Sequence, residues 1–287
     1  MLKSLTAALT LTLVLAALPL QAQQESAVLK RIKDSGTITL GYRDQAAPFS
    51  FRGTDGRPAG YSVELCTRIA TAIRHELKMP ALKIEWIPVN AHTRIKAVAE
   101  GRIAMECGMT TVTLARQKEV DFSILIFADG GNMLLREDAA LRRAADFAGR
   151  KIAVQGGTTT EHVLRRSLKA RRVDAEIVLV KTLAEGLALV EDGKAAALAG
   201  DRIVLAALAQ KAREPAKLQM LEQDYSYEPY ALALPRGDVE FRLSVNRELA
   251  RLFRSGEITG ILNEWFGAIG GPSVLLASMI YLNSIPE

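Results

Sequence analysis

Aromatic residues are scarce, at 6% of the 287-residue chain. Basic residues are scattered, with only short clusters such as residues 164–172, and the net charge is a modest +5. A nucleic-acid surface concentrates cationic charge and supplies ring faces for stacking. Neither is present, so nucleic acid is not expected as a partner. Histidine is rarer still: His75, His92 and His162 stand at no ligand spacing from one another or from the two cysteines. No metal site is expected. G-x-S-x-G, H-E-x-x-H and G-x-G-x-x-G are missing, and "GGTTTE" (156–161) lacks the lysine of a phosphate loop. No catalytic machinery and no cofactor are therefore expected. The carboxylate pair Glu191/Asp192 closes a predicted helix and reads as a solvated end.

Long apolar runs are missing too. The N-terminus has one early basic residue, Lys3, an apolar run from Leu5 to Leu20, and a small residue at Ala22. That is the layout of a signal peptide over residues 1–22, too short for a membrane span. It implies export to the periplasm, and the absence of a cysteine just after it argues against a lipid anchor. The apolar run 273–282 is also too short to span and is expected to dock as a terminal helix or strand. Export permits a bridge between Cys66, on a helix stripe, and Cys107, near a strand end. Two buried free thiols are the alternative.

What is there is an alternation of strands and helices. "TITLGY" (37–42) reads as a strand, and 61–79 as a helix, with Leu65, Ile69, Ile73 and Leu77 on one stripe. A strand over 83–89, a short helix stopped by Gly101, and a strand over 103–108 follow. The same order recurs over 151–201. This predicts an α/β protein of two similar lobes, each with a mostly parallel sheet flanked by helices. Two extended stretches, 122–138 and 227–237, bracket the second lobe. They predict a two-strand hinge near 125–132 and 227–234. Lobe 1 then comprises 23–127 and 233–287, and lobe 2 comprises 128–232. A cleft between lobes, at the carboxyl ends of parallel strands, is the expected ligand site.

The polar groups that stand out fall where that cleft would be. Arg43, Thr110, Thr111 and Asp201 stand at or just past predicted strands. Arg94 and Arg116 lie near predicted helix starts, and Thr158 and Thr159 begin the first helix of lobe 2. Guanidinium forks grip carboxylates through paired, charge-assisted hydrogen bonds. Free N–H groups at a helix start add to that grip, and an opposed carboxylate holds an ammonium. Together these suit a zwitterion, a free amino acid. Singly, each has a plainer role: a solvated arginine, a helix cap at Thr158, a turn at Asp201.

With those residues in view, the chain resembles the extracytoplasmic solute-binding proteins of amino-acid ABC transporters (polar amino-acid family 3). Within them it is most similar to the glutamate/aspartate-binding branch. The stretches that carry the similarity are "GYRDQAAPFSF", "GYSVELC", "HTRIKAVAEG", "ECGMTTVTLARQKEVDFS", "GGTTTEHVL" and "YEPYALALPRGD". The resemblance implies the two-lobe type II fold of periplasmic binding proteins and a monomer that hands its ligand to an inner-membrane permease. It implies that Arg116 clamps the ligand α-carboxylate with Thr111 and Thr159, and that Asp201 and the chain at Met109 take the ammonium. Arg43 and Arg94 would then meet an acidic side chain. The sequence departs from the branch pattern at Met109 and Ala91, where serine is usual, and at Leu183, in place of a histidine. A binder of a neutral or aromatic amino acid, a cyclohexadienyl-dehydratase-like enzyme and a sensor module are the alternatives.

Overall fold

The computed structural model describes residues 25–270 and 273–287. The expected signal peptide at 1–22 lies outside them. The first helix, α1 (Ala27–Ser35), is capped by the Ser26 hydroxyl, which accepts from the Leu29 N–H. It feeds β1 (Thr37–Arg43), and the Gly- and Pro-rich stretch that follows forms a small antiparallel sheet of β2 (Gln45–Ala46), β3 (Ser50–Arg52) and β4 (Pro58–Ala59). Then come α2 (Tyr61–Glu76), β5 (Lys83–Val89), α3 (Arg94–Ala99) and β6 (Met105–Thr111). The long β7 (Asp121–Arg136) leads to β8 (Lys151–Gln155), α4 (Thr159–Ala170), β9 (Glu176–Val180), α5 (Leu183–Glu191), β10 (Ala197–Asp201) and α6 (Arg202–Ala209). The chain closes with β11 (Leu218–Met220), β12 (Ser226–Leu234), α7 (Val239–Arg254), α8 (Glu257–Phe266) and α9 (Val274–Leu282).

The main sheet runs β5-β1-β6-β12-β7-β10-β8-β9, with β11 also on β7. At one end β1 pairs in parallel with β5 and β6; at the other β8 pairs in parallel with β9 and β10. Between them β7 and β12 run antiparallel, paired from Asp121↔Leu234 to Gly131↔Ser226 with register shifts between Tyr230 and Ala233. The far part of β7 then pairs with β10 instead, Gly131↔Asp201 to Leu135↔Ala197. The molecule is thus two α/β lobes joined by two crossing strands.

Each lobe buries its own core. In lobe 1 the stripe Leu65, Ile69 and Ile73 of α2 packs with Leu40 and Met105 of the sheet and with Val245 and Leu249 of α7. The terminal helices therefore complete the first lobe. Cys66 and Cys107 form a disulfide across that core. In lobe 2, Phe147, Ile152 and Leu164 pack on one sheet face, and Leu187, Leu198 and Leu205 on the other. Where the crossing strands leave lobe 1, Phe127 of β7 and Tyr230 of β12 sit 4.9 Å and 5.2 Å, centroid to centroid, from Phe49, and Tyr61 and Phe266 join them. Such aromatics bury large areas and gain about 0.5–1.5 kcal/mol per ring pair beyond that. Tyr61 also donates its hydroxyl to the Ile126 carbonyl at 2.7 Å. The hinge strands are thereby fixed on the lobe-1 side.

Several sequence-based boundaries move. The third strand of lobe 1 does not stop at Gly108. It runs on to Thr111 because β12 pairs with it through Tyr230↔Thr111 and Ala231↔Thr110. Arg43 likewise ends its strand instead of following it, while Asp201 ends its strand as expected. Arg116 opens only a single 3-10 turn, Arg116–Lys118, since β7 starts at Asp121. The C-terminal apolar run is a helix.

Candidate functional site

The lobes touch where the candidate residues meet. The Thr111 hydroxyl, at the end of β6 in lobe 1, lies 3.2 Å from the Thr159 hydroxyl, on the first residue of α4 in lobe 2. His92 packs against Gly157, where the backbone turns with φ of 74°.

Three arginines converge here from lobe 1. Arg43 ends β1 at 6% exposure, Arg94 begins α3 at 3%, and Arg116 follows β6 half-buried. Among the described residues, none of these guanidinium groups makes an ion pair. Arg94 Nη1 donates to the Met109 carbonyl at 3.3 Å, and its Nε, although buried, has no partner. Arg116 Nη1 donates to the Thr111 carbonyl at 2.7 Å. Among the described residues, the Arg43 guanidinium makes no hydrogen bond; only its backbone N–H is used, by the Ser50 hydroxyl. Burial pushes Arg43 down to about 10, aided by the like charge of Arg94; the same two causes bring Arg116 to about 10. Both remain cationic at neutral pH.

The acids of the site are placed differently. Asp201, at the end of β10, accepts from the Thr160 hydroxyl at 2.9 Å and the Tyr230 hydroxyl at 2.5 Å. Burial raises its carboxyl to about 6, with the neighbouring charge of Glu228 adding to the rise. Glu228, on β12 and 1% exposed, accepts from Thr111 at 2.7 Å, Thr159 at 2.9 Å and Ser226 at 2.7 Å. Glu106, on β6, accepts from Thr110 at 2.7 Å, and its other oxygen is buried without a partner. Gly108 lies between Glu106 and Thr110 on one strand face. A side chain there would collide with Glu106 and with the stem of Arg43, so a glycine is what lets the arginine lie across the strand.

Arg43, Arg94, Arg116, Thr110, Thr111, Thr159 and Asp201 are thus brought to one place. Thr158 is committed elsewhere: as the cap of α4, its hydroxyl accepts from the Glu161 N–H and donates to the Gln155 carbonyl. Met109 is half-buried and packs on the lobe-1 core, Ala91 is buried, and Leu183 packs on core side chains at the start of α5. Sequence reasoning missed Glu106, Glu228, Thr160 and Tyr230. Glu106 and Glu228 stood in quoted stretches, and the only local signal was an acid inside an otherwise apolar strand.

Among the described residues no cluster of His, Cys, Asp and Glu could hold a metal ion. No helix among them is long and apolar enough to cross a membrane.

Residues 38–268 match the bacterial extracellular solute-binding proteins, family 3. The chain belongs to that family. It is 35% identical over 259 residues to the L-glutamate/L-aspartate-binding protein of Pseudomonas aeruginosa, covering 89% of this chain and 86% of that one. It is 29% identical over 245 residues to the glutamate/aspartate import solute-binding protein of Salmonella typhimurium, covering 85% and 81%. Among solved structures, an ancestral amino acid-binding protein, a precursor of cyclohexadienyl dehydratase, superposes with a TM-score of 0.71 at 28% identity, covering 83% of this chain and 99% of that one. An ancestral arginine-binding protein bound to arginine gives 0.71 at 25%, covering 80% and 98%. The two-lobe periplasmic-binding-protein fold expected from the sequence is the fold of these neighbours.

Proposed function

We propose that this family-3 solute-binding protein takes up an acidic amino acid, glutamate or aspartate, between its lobes in the periplasm. It delivers the ligand, as a monomer and without a cofactor, to the membrane permease of an ABC transporter. The observation that carries this is the set of three guanidinium groups, two buried and that of Arg116 half-buried, without ion pairs. Buried guanidinium groups without a direct partner are costly, and a ligand with two carboxylates supplies acceptors at contact distance. Arg116 takes the α-carboxylate, Arg43 and Arg94 take the side-chain carboxylate, and Asp201 takes the ammonium. Sequestered from water, these interactions gain strength. Lobe 1 (23–127 and 233–287) and lobe 2 (128–232) close on the ligand about β7 and β12, and the bound population shifts to the closed form. The permease then reads that form, and no bond is made or broken. The names of the Pseudomonas and Salmonella relatives support the same ligand class.

A thermal-shift panel of free amino acids tests it. A ligand at one hundred times its Kd adds about 2.7 kcal/mol, a rise of roughly 5–10 °C for a chain of this size. Glutamate and aspartate should give that rise and glutamine should not; a larger rise with a neutral or basic amino acid would refute the acidic ligand. A second reading, dehydration on this scaffold, rests on the fold shared with a precursor of cyclohexadienyl dehydratase. Incubation with prephenate decides it: binding alone predicts no phenylpyruvate.

A further inference from the structure

A threonine hydroxyl has one proton to donate and two lone pairs to offer. In this cleft the Thr111 and Thr159 protons are both directed at a single atom, Glu228 Oε2, at 2.7 Å and 2.9 Å. A carboxylate only accepts, so these contacts fix the direction of both hydroxyls. Hydrogen bonds to a charged oxygen are also the stronger kind. With their protons committed, the two hydroxyls present only lone pairs to a ligand. Lone pairs receive an ammonium and repel a carboxylate.

The carboxylate that imposes this is itself held. Ser226 donates to Glu228 Oε1 at 2.7 Å, and Ser226 in turn accepts from the Gly131 N–H at 3.1 Å, which ties the side chain to both crossing strands. Thr111 belongs to lobe 1, Thr159 to lobe 2 and Glu228 to the hinge. The three oxygens come together across the cleft.

We propose that Glu228 is a positioning residue for ligand recognition: by taking the protons of Thr111 and Thr159 across the closed cleft, it turns both hydroxyls into acceptors for the ligand's ammonium group, alongside Asp201. The α-carboxylate is then left to Arg116 and backbone N–H groups, and the threonine hydroxyls are withdrawn from the role the family resemblance gives them. This rests on the amino-acid reading above and specifies its ammonium site.

Two conservative variants separate geometry from charge. Glu228→Gln keeps the reach and one acceptor oxygen for both hydroxyls but loses the charge. Glu228→Asp keeps the charge but retracts the oxygens by one methylene. Calorimetric titration of L-glutamate into each purified protein, with the melting temperature of the ligand-free form alongside, should find the Gln variant within about threefold of wild type. The Asp variant should be about tenfold weaker or worse, the size of one lost hydrogen bond. Equal affinities in all three proteins overturn the inference. So does an Asp variant that binds as well as the Gln variant or better, which is the signature of a purely electrostatic role. A loss in both variants that follows a fall in melting temperature also overturns it, as the mark of a merely structural residue. A wild-type protein that binds no amino acid refutes the proposed function itself. A wild type that binds glutamate with the variant order reversed refutes the inference alone.

Discussion

On the lobe-1 wall of the cleft, Arg43 and Arg94 are buried and Arg116 is half-buried, with most of their N–H groups unused. On the opposite side, where lobe 2 meets the hinge, Asp201 and Glu228 are buried, yet five hydroxyl contacts serve them. The formal charges nearly balance across the cleft, so net charge alone says little about the ligand. The difference lies in hydrogen bonding. Asp201 and Glu228 are satisfied within the protein and the guanidinium groups are not, so these cations are short of acceptors at contact distance and of directly paired negative charge. An acidic amino acid brings both on two carboxylates, and its ammonium completes the one carboxylate side that still has lone pairs to spare.

That contrast can be broken from either wall. The largest effect is expected on the lobe-1 side. Arg116→Ala leaves the ligand α-carboxylate without its fork, a loss of about 3–5 kcal/mol. Calorimetry should show glutamate affinity falling by more than a hundredfold, and a loss below tenfold would move the clamp elsewhere. On the lobe-2 side, Asp201→Asn removes one charged partner of the ammonium, about 1.5–3 kcal/mol. Affinity should fall by roughly ten- to a hundredfold, without loss of stability, because the folded protein no longer buries that charge.

Acidification sharpens the contrast through the same residue. Asp201 titrates at about 6 in the ligand-free protein and Asp129, on β7, at about 7, both raised chiefly by burial. Ammonium binding needs Asp201 ionised, so glutamate affinity should weaken about tenfold from pH 8 to pH 5. Stability runs the other way. Both folded pKa values lie above the unfolded value of about 3.9. Their contribution to stability is therefore full below about pH 4 and is lost as pH rises through 6 and 7. The ligand-free melting temperature should rise between pH 8 and pH 5.5 while affinity drops. Parallel trends would mean that neither carboxyl titrates in this range.

The smallest effect separates two neighbouring threonines. Thr158→Ala removes a helix cap, which costs about 1 kcal/mol of stability, and should leave glutamate affinity within about threefold. Thr159→Val should weaken binding more than it weakens the fold. The reverse order would put Thr158 in the site.

The sequence made much of this legible because the informative residues lie at element ends. The Leu65–Ile69–Ile73 stripe marks α2, Gly101 and Gly193 stop helices, and the arginines and threonines sit where polarity begins after apolar strands. The helices α1 and α6 were not foreseen. The first follows directly on the apolar N-terminus, and the second is too short to show a period. What stayed hidden was pairing over distance. That Thr111 meets Glu228, 117 residues away, depends on the register of β12 on β6. A buried acid in "SYEPYALAL" has the same local pattern as a solvated one. Thr158 and Thr159 were equivalent in sequence, and only the entry geometry of α4 made one a cap and the other a cleft residue.

The most direct test is a calorimetric comparison of L-glutamate with L-glutamine on ligand-free wild-type protein. The two differ by one carboxylate against one amide, which isolates what Arg43 and Arg94 lack. Tighter binding of glutamate by at least a hundredfold is predicted; equal or tighter binding of glutamine would contradict the account.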